Sequence, residues 1–265
     1  MQVTPKIIFL NIAMTFLLPL LIGCSKSFTH IEPGASRAPR RAVLILPGLN
    51  MGLKGYRAAK KWYPDRGFDV FIADYVSKEG LHGGTENLSR FIEENRLQAY
   101  DEVYAFGYLL GGWTLNTYLH DHPFPNLTKI IYDRSPYQEQ APRIVMNHIP
   151  RIIRLLFGST VSELRDTPYP PIPKGNRRIG IIVECKASRY IRRHRDELAP
   201  IDDRSWRPDA FGQPHDDLIY LFLNHDEMYY RFDILGRELL SFFEQGRFTV
   251  TASRTPMTGR DPFVH

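Results

Sequence analysis

From residue 41 onward, short apolar runs alternate with stretches whose apolar positions recur at helical spacing. The runs fall at residues 42–46, 68–73, 103–106, 129–132, 179–183 and 218–223, each four to six residues rich in Val, Ile, Leu and Phe. Most end at a turn residue: Pro47-Gly48, Asp74, Gly107 and Asp133. Runs of this length, apolar on both faces, suit buried parallel strands rather than strands with one wet face. Between them, helices are predicted over 55–66, 85–97, 110–121, 143–157 and 227–245. Strand–helix alternation predicts a doubly wound, mostly parallel α/β sheet. Two stretches interrupt it. Residues 140–176 hold an amphipathic pattern around Ile149 to Phe157 and then Pro168, Pro170, Pro171 and Pro173, which predicts a small helical cap. Residues 189–216 carry Arg189, Arg192, Arg193 and Arg195, read as a solvated face or a contact with anionic lipid headgroups.

The N-terminus has a different pattern. Lys6 is followed by an apolar run over 7–22, broken by Asn11, Thr15 and Pro19, and then by Leu21-Ile22-Gly23-Cys24. The run is short for a membrane span, which needs about 20 residues, and has the layout of an export signal. The last four residues resemble the lipobox of bacterial lipoproteins. That resemblance implies signal-peptide cleavage before Cys24 and lipid attachment to it, hence a chain held to a membrane in the bacterial cell envelope. Ser25, rather than Asp, implies the outer membrane, facing the periplasm. The expected divisions are a signal peptide over 1–23, a flexible tether over 24–40, the folded domain over 41–247 with its cap near 140–176, and a mobile tail over 248–265.

Composition narrows the class further. Hydrophobic residues make 43% and charged residues 24% of 265, ordinary for one globular domain and unlike a disordered chain. Of the 2 cysteines, the resemblance assigns Cys24 to lipid attachment, which would leave Cys185 as a thiol with no disulfide partner. A net charge of +5, spread along the chain, gives no basic patch of the kind nucleic acid needs. No phosphate-binding loop, dinucleotide fingerprint or clustered metal-ligand spacing is present, so no cofactor and no metal are expected.

The chemistry centres on residues 103–112, V-Y-A-F-G-Y-L-L-G-G. A buried strand enters Gly107 and leaves through Gly111 and Gly112 into a helix. This resembles the nucleophile elbow, G-x-S-x-G, of the α/β-hydrolase family, where a tight turn lifts the nucleophile above the sheet. Leu46-Pro47-Gly48-Leu49 occupies the place of the family's oxyanion loop, and Leu223-Asn224-His225-Asp226-Glu227 the place of its catalytic histidine. The resemblance implies an α/β-hydrolase-like fold over most of 41–247, His225 as the retained base, and Leu49 and Leu110 main-chain N–H groups as an oxyanion hole. The family's early antiparallel strands are expected to be absent or truncated.

The departures bear on function. Leu109 stands at the nucleophile position and has no nucleophilic atom. The acid position falls most simply on Ala187; a shifted register makes it Glu184, and Asp133, after the preceding strand, is a further alternative. Ser135 and Ser188 are displaced-nucleophile candidates, read as ordinary loop serines, Cys185 as an inert buried thiol, and His82-Gly83-Gly84 as a plain turn. In a serine hydrolase, loss of the nucleophile costs about a millionfold in turnover. Main-chain donors survive any side-chain change, so the expected function is a lipid-anchored binding or accessory module for a small carbonyl or carboxylate ligand. The rival expectations are an active hydrolase of esters, lipids or peptides built around His225, and an envelope scaffold for an unidentified protein.

Overall fold

Seven strands form one sheet in the order β1-β3-β2-β4-β5-β6-β7. They are β1 (Phe28–His30), β2 (Arg41–Leu46), β3 (Asp69–Ile72), β4 (Glu102–Tyr108), β5 (Leu127–Arg134), β6 (Arg178–Glu184) and β7 (Asp217–Leu221). Among the described residues, β1 alone is antiparallel, against β3. The helices are α1 (Leu53–Trp62), α2 (Gly80–Glu94), α3 (Leu110–Asp121), α4 (Ala141–His148), α5 (Pro150–Phe157), α6 (Thr160–Asp166), α7 (Arg189–Arg193), α8 (His225–Met228) and α9 (Phe232–Gln245). These come from a computed structural model, which describes residues 27–31, 39–49, 51–200, 207–257 and 260–263. Cys24 and the apolar run before it lie outside the described residues.

The apolar runs are buried on both faces because a strand sends successive side chains to opposite sides. On β2, Ala42, Leu44 and Leu46 join a core with Leu88 and Ile92 of α2 and Trp113 and Leu115 of α3. Val43 and Ile45 join the opposite core, with Ala59 of α1 and Leu235, Leu239 and Phe242 of α9. The expected doubly wound sheet is therefore present, with helices on both faces.

Four expectations change. The tether holds β1, whose Phe28, Thr29 and His30 pair with Ile72, Phe71 and Val70, so one truncated antiparallel strand is present. The amphipathic pattern over 143–157 is two helices, because Pro150 has no N–H to give and disfavours helical backbone in Ile149 (φ −136°, ψ 47°). The predicted helix over 227–245 is likewise split into α8 and α9. The tail is docked along the outer side of β7: Tyr220 N–H donates to the Ser253 carbonyl (2.8 Å), and Arg254 forms an ion pair with Asp217 (2.8 Å). Farther on, Ala187 N–H donates to the Pro262 carbonyl (3.0 Å) and Phe263 packs edge-on to Tyr137. Covering an edge strand in this way removes a site for unwanted pairing.

The segment between β5 and β6 holds α4 to α6 and the proline-rich return. Ser159 N–H donates to the Lys78 carbonyl (3.1 Å), and Leu81 N–H to Glu163 Oε2 (2.7 Å). Met146, Ile153 and Val161 pack together with Leu49. Leu49 and Lys78 follow β2 and β3, so this segment lies over the C-terminal ends of the strands, where open α/β sheets bind ligands.

Candidate active site

Strand β4 ends at Tyr108, and α3 begins at Leu110. Leu109 between them has φ 33° and ψ −93°, a positive φ in a non-glycine residue. Such backbone strain costs on the order of 1–3 kcal/mol and clusters at active sites. The flanking glycines permit the turn: a Cβ on Gly111 would lie 2.0 Å from the Leu46 carbonyl oxygen, and one on Gly107 would lie 2.7 Å from the Gly112 nitrogen. Leu109 N–H donates to the Asp133 carbonyl (3.2 Å), which ties the elbow to β5. The backbone of a nucleophile elbow is thus present with leucine at its apex.

His225 opens α8 at the end of the loop after β7. A capping box holds it there: Asn224 Oδ1 accepts from Glu227 N–H (2.9 Å), while Glu227 Oε2 accepts from Asn224 N–H (3.0 Å). Lys186, in the turn after β6, clamps Glu227 with contacts of 3.0 and 3.1 Å. The imidazole Nδ1 donates to Glu184 Oε1 at 2.9 Å, and Asp133 Oδ2 lies 3.8 Å away. All three sequence candidates, His225, Glu184 and Asp133, therefore meet, with Glu184 as the direct partner. Ala187 is not the acid position; it is buried in an apolar cluster with Cys185 and Ile191.

Both carboxyls are fully buried, and burial raises the pKa of each. Glu184 is pushed up to about 8 by burial and drawn back by hydrogen bonds from Asp133 and Ser135. Asp133 is raised well above its ordinary value by burial and then by the Glu184 carboxyl; its oxygens are buried away from other hydrogen-bond partners. Burial thus favours the neutral, protonated form of both carboxyls. Burial lowers His225, which favours neutral imidazole with its proton on Nδ1.

The other ring nitrogen meets a residue absent from the sequence candidates. Tyr229 donates its hydroxyl to His225 Nε2 (3.0 Å) and accepts from Gly48 N–H (3.2 Å). Tyr229 follows His225 by four residues, a spacing that places two side chains on one helical face and was available in the sequence. Its ring lies on Tyr108, centroids 4.6 Å apart, and it is buried. A Cβ on Gly48 would lie 2.5 Å from the Tyr229 hydroxyl, so that approach requires glycine. Burial raises the phenol well above its ordinary pKa, which keeps it protonated and a poor nucleophile. In this geometry, Nε2 faces a phenol rather than an open substrate position.

The remaining candidates have structural roles. Ser135 Oγ accepts from Gln138 N–H (3.1 Å), and Ser188 caps α7. Burial pushes the Cys185 thiol up to about 12, which fits an inert sulfur. His82, Gly83 and Gly84 lie inside α2 rather than in a turn. Leu49 packs under the cap, and Leu110 is the first residue of α3. A surface groove of about 520 Å³ runs between α1 and α9, lined by Trp62, Phe232 and Gly236 and by none of the site residues. A second cluster of titratable side chains, His148, His194 and Glu197, joins α4 to the segment after α7; none of the three was a sequence candidate.

The strand order, elbow and histidine loop define an α/β-hydrolase fold. Solved structures with this fold include MGS-MChE2, an α/β-hydrolase enzyme from a sediment metagenome of the Mar Chica lagoon, Morocco, at 17% identity and TM-score 0.53, covering 83% of this chain and 94% of that one. Bromoperoxidase from Bacillus anthracis aligns at 11% identity and TM-score 0.55, over 83% and 95% of the two chains. The Bacillus licheniformis lipase BlEst2 aligns at 10% identity and TM-score 0.54, over 84% and 98%. No protein-family model matches the sequence, and no curated protein matches it.

Proposed function

We propose that this chain is a lipid-anchored envelope protein whose α/β-hydrolase-fold domain acts as a binding or accessory module without serine-hydrolase turnover. The observation that carries the reading is Leu109 at a strained, glycine-flanked elbow. Leucine supplies neither an attacking atom nor a proton for His225. The Tyr229 hydroxyl on Nε2 supports the same reading, since it closes the base against an incoming nucleophile. A small carbonyl or carboxylate is the ligand class, received at the Leu49 and Leu110 main-chain donors. The anchor rests on Lys6, the apolar run and the Leu21-Ile22-Gly23-Cys24 motif. Among the described residues, no helix is long and apolar enough to cross a membrane. Labelled palmitate should enter the chain expressed in bacteria and be lost in Cys24→Ala.

A second reading is an active hydrolase with an unorthodox site. It is favoured by the 2.9 Å Glu184–His225 contact, which preserves the acid–base half of a triad. A panel of aryl, acyl and thioester substrates on wild type and His225→Ala separates the two. The binding-module reading expects both to match buffer hydrolysis. Turnover by wild type that His225→Ala loses would establish the hydrolase instead.

A further inference from the structure

His148 closes α4 in the cap, while His194 and Glu197 follow α7 on the loop after β6. His148 Nε2 lies 2.5 Å and His194 Nδ1 3.0 Å from one and the same oxygen, Glu197 Oε1. The two rings sit with centroids 4.4 Å apart, tilted by 47°, and Tyr190 packs on His194 at 4.7 Å. All three donor atoms lie within 4.8 Å of one another.

We propose that His148, His194 and Glu197 form a zinc(II) site that fastens the cap to the loop after β6. Two ring nitrogens from segments far apart in sequence meet at one carboxylate oxygen, which gathers three donors that a single ion can bind together. Tetrahedral zinc, with bonds near 2.0–2.1 Å to imidazole and 2.0–2.2 Å to carboxylate, sets its donors about 3.3 Å apart. The two nitrogen-to-oxygen distances, 2.5 and 3.0 Å, lie within about 1 Å of that spacing. Two imidazoles and one carboxylate are the donor set of first-row transition metals; magnesium and calcium prefer oxygen. Arg143 donates to the Glu197 carbonyl (2.7 Å), which holds the loop carrying Glu197 against the cap. His148 is 43% exposed, so the ion has a path in, and water completes the fourth position.

The ion would reinforce a polar seam already joining the same two segments. Ser188 Oγ donates to Gln138 Oε1 (2.8 Å), and Ala199 N–H donates to Gln140 Oε1 (2.7 Å). The loop fixed in this way begins just after Glu184. The decisive experiment titrates zinc(II) into the purified chain, carrying no polyhistidine tag, by calorimetry. His148→Ala, His194→Ala and Glu197→Gln run alongside, with their fold checked by circular dichroism. One zinc per chain is expected, bound at least about tenfold more weakly in every variant, with nitrogen ligation in the X-ray absorption spectrum and no competition from magnesium. His148→Ala alters an exposed side chain and should keep the fold. Absence of stoichiometric zinc overturns the proposal, as does zinc that the folded variants hold as tightly as wild type, for instance at Asp133, Glu184 and His225.

Discussion

The elbow follows β4 and the histidine loop follows β7, with β5 and β6 between them, and the two differ in what each holds. At the elbow, the strained turn is present and its apex is Leu109, a side chain with no nucleophilic atom. At the histidine loop, three ionisable side chains meet, His225 with Glu184 of β6 and Asp133 of β5. The physical costs differ too. The elbow's glycines are held by packing, since a Cβ at Gly111 collides with the Leu46 carbonyl, so that shape persists whatever occupies position 109. Two buried carboxyls and an imidazole have no comparable packing justification, because taking ionisable groups out of water costs several kcal/mol each. The Tyr229 hydroxyl on Nε2 closes this cluster on its fourth side.

The comparison breaks first on pH. Glu184 titrates near 8 in the folded chain against an ordinary value of 4.5, so folding takes up protons between those values. Stability from this group is full below about 4.5 and falls as pH rises toward 8. His225 works in the opposite sense: its lowered pKa gives stability that is lost as pH falls through the imidazole range. Glu184→Gln removes the first dependence and leaves the second. Denaturant melts of the variant and wild type should therefore diverge in the variant's favour from pH 4 to 9, by up to about 5 kcal/mol. A constant difference would mean that Glu184 is not held protonated.

Gly111→Ala comes next. It should cost about 4 kcal/mol or abolish folding, as read by urea unfolding, because its Cβ meets backbone rather than a movable side chain. Little loss would mean that the elbow is not packing-enforced. Tyr229→Phe removes the hydroxyl from His225 Nε2 and from Gly48 N–H, and should cost about 1–3 kcal/mol. The smallest effect has the opposite sign. Leu109→Gly should stabilise the chain by about 1 kcal/mol, the relieved strain exceeding the entropy that glycine adds to the unfolded chain. A loss there would make the Leu109 side chain a packing element rather than a strained remnant.

Much of the fold was legible because buried parallel strands leave uninterrupted apolar runs such as 42–46. Strand β1 was not, since Phe-Thr-His is three residues long and only half-buried. The break at Pro150 was written in the sequence but outweighed by the amphipathic period across it. At the site, the elbow and His225 were readable as local motifs. The choice of Glu184 over Ala187 was not, because it depends on how β6 and the loop after β7 meet in space. Glu184 pairs with Leu221 in that register, four residues before His225. His148 and His194 lie further beyond local reading, since only tertiary packing brings the cap to the α7 loop.

The central claim is that chemistry stops at Leu109 and at the Tyr229 hydroxyl, with the acid–histidine pair otherwise ready. A fluorophosphonate probe tests it on wild type, Leu109→Ser, and Leu109→Ser combined with Tyr229→Phe, with labelled sites mapped by mass spectrometry. The account predicts no label on wild type, little on the single variant, and label at position 109 once Tyr229 no longer occupies Nε2. Label on any serine of the wild-type chain would contradict it.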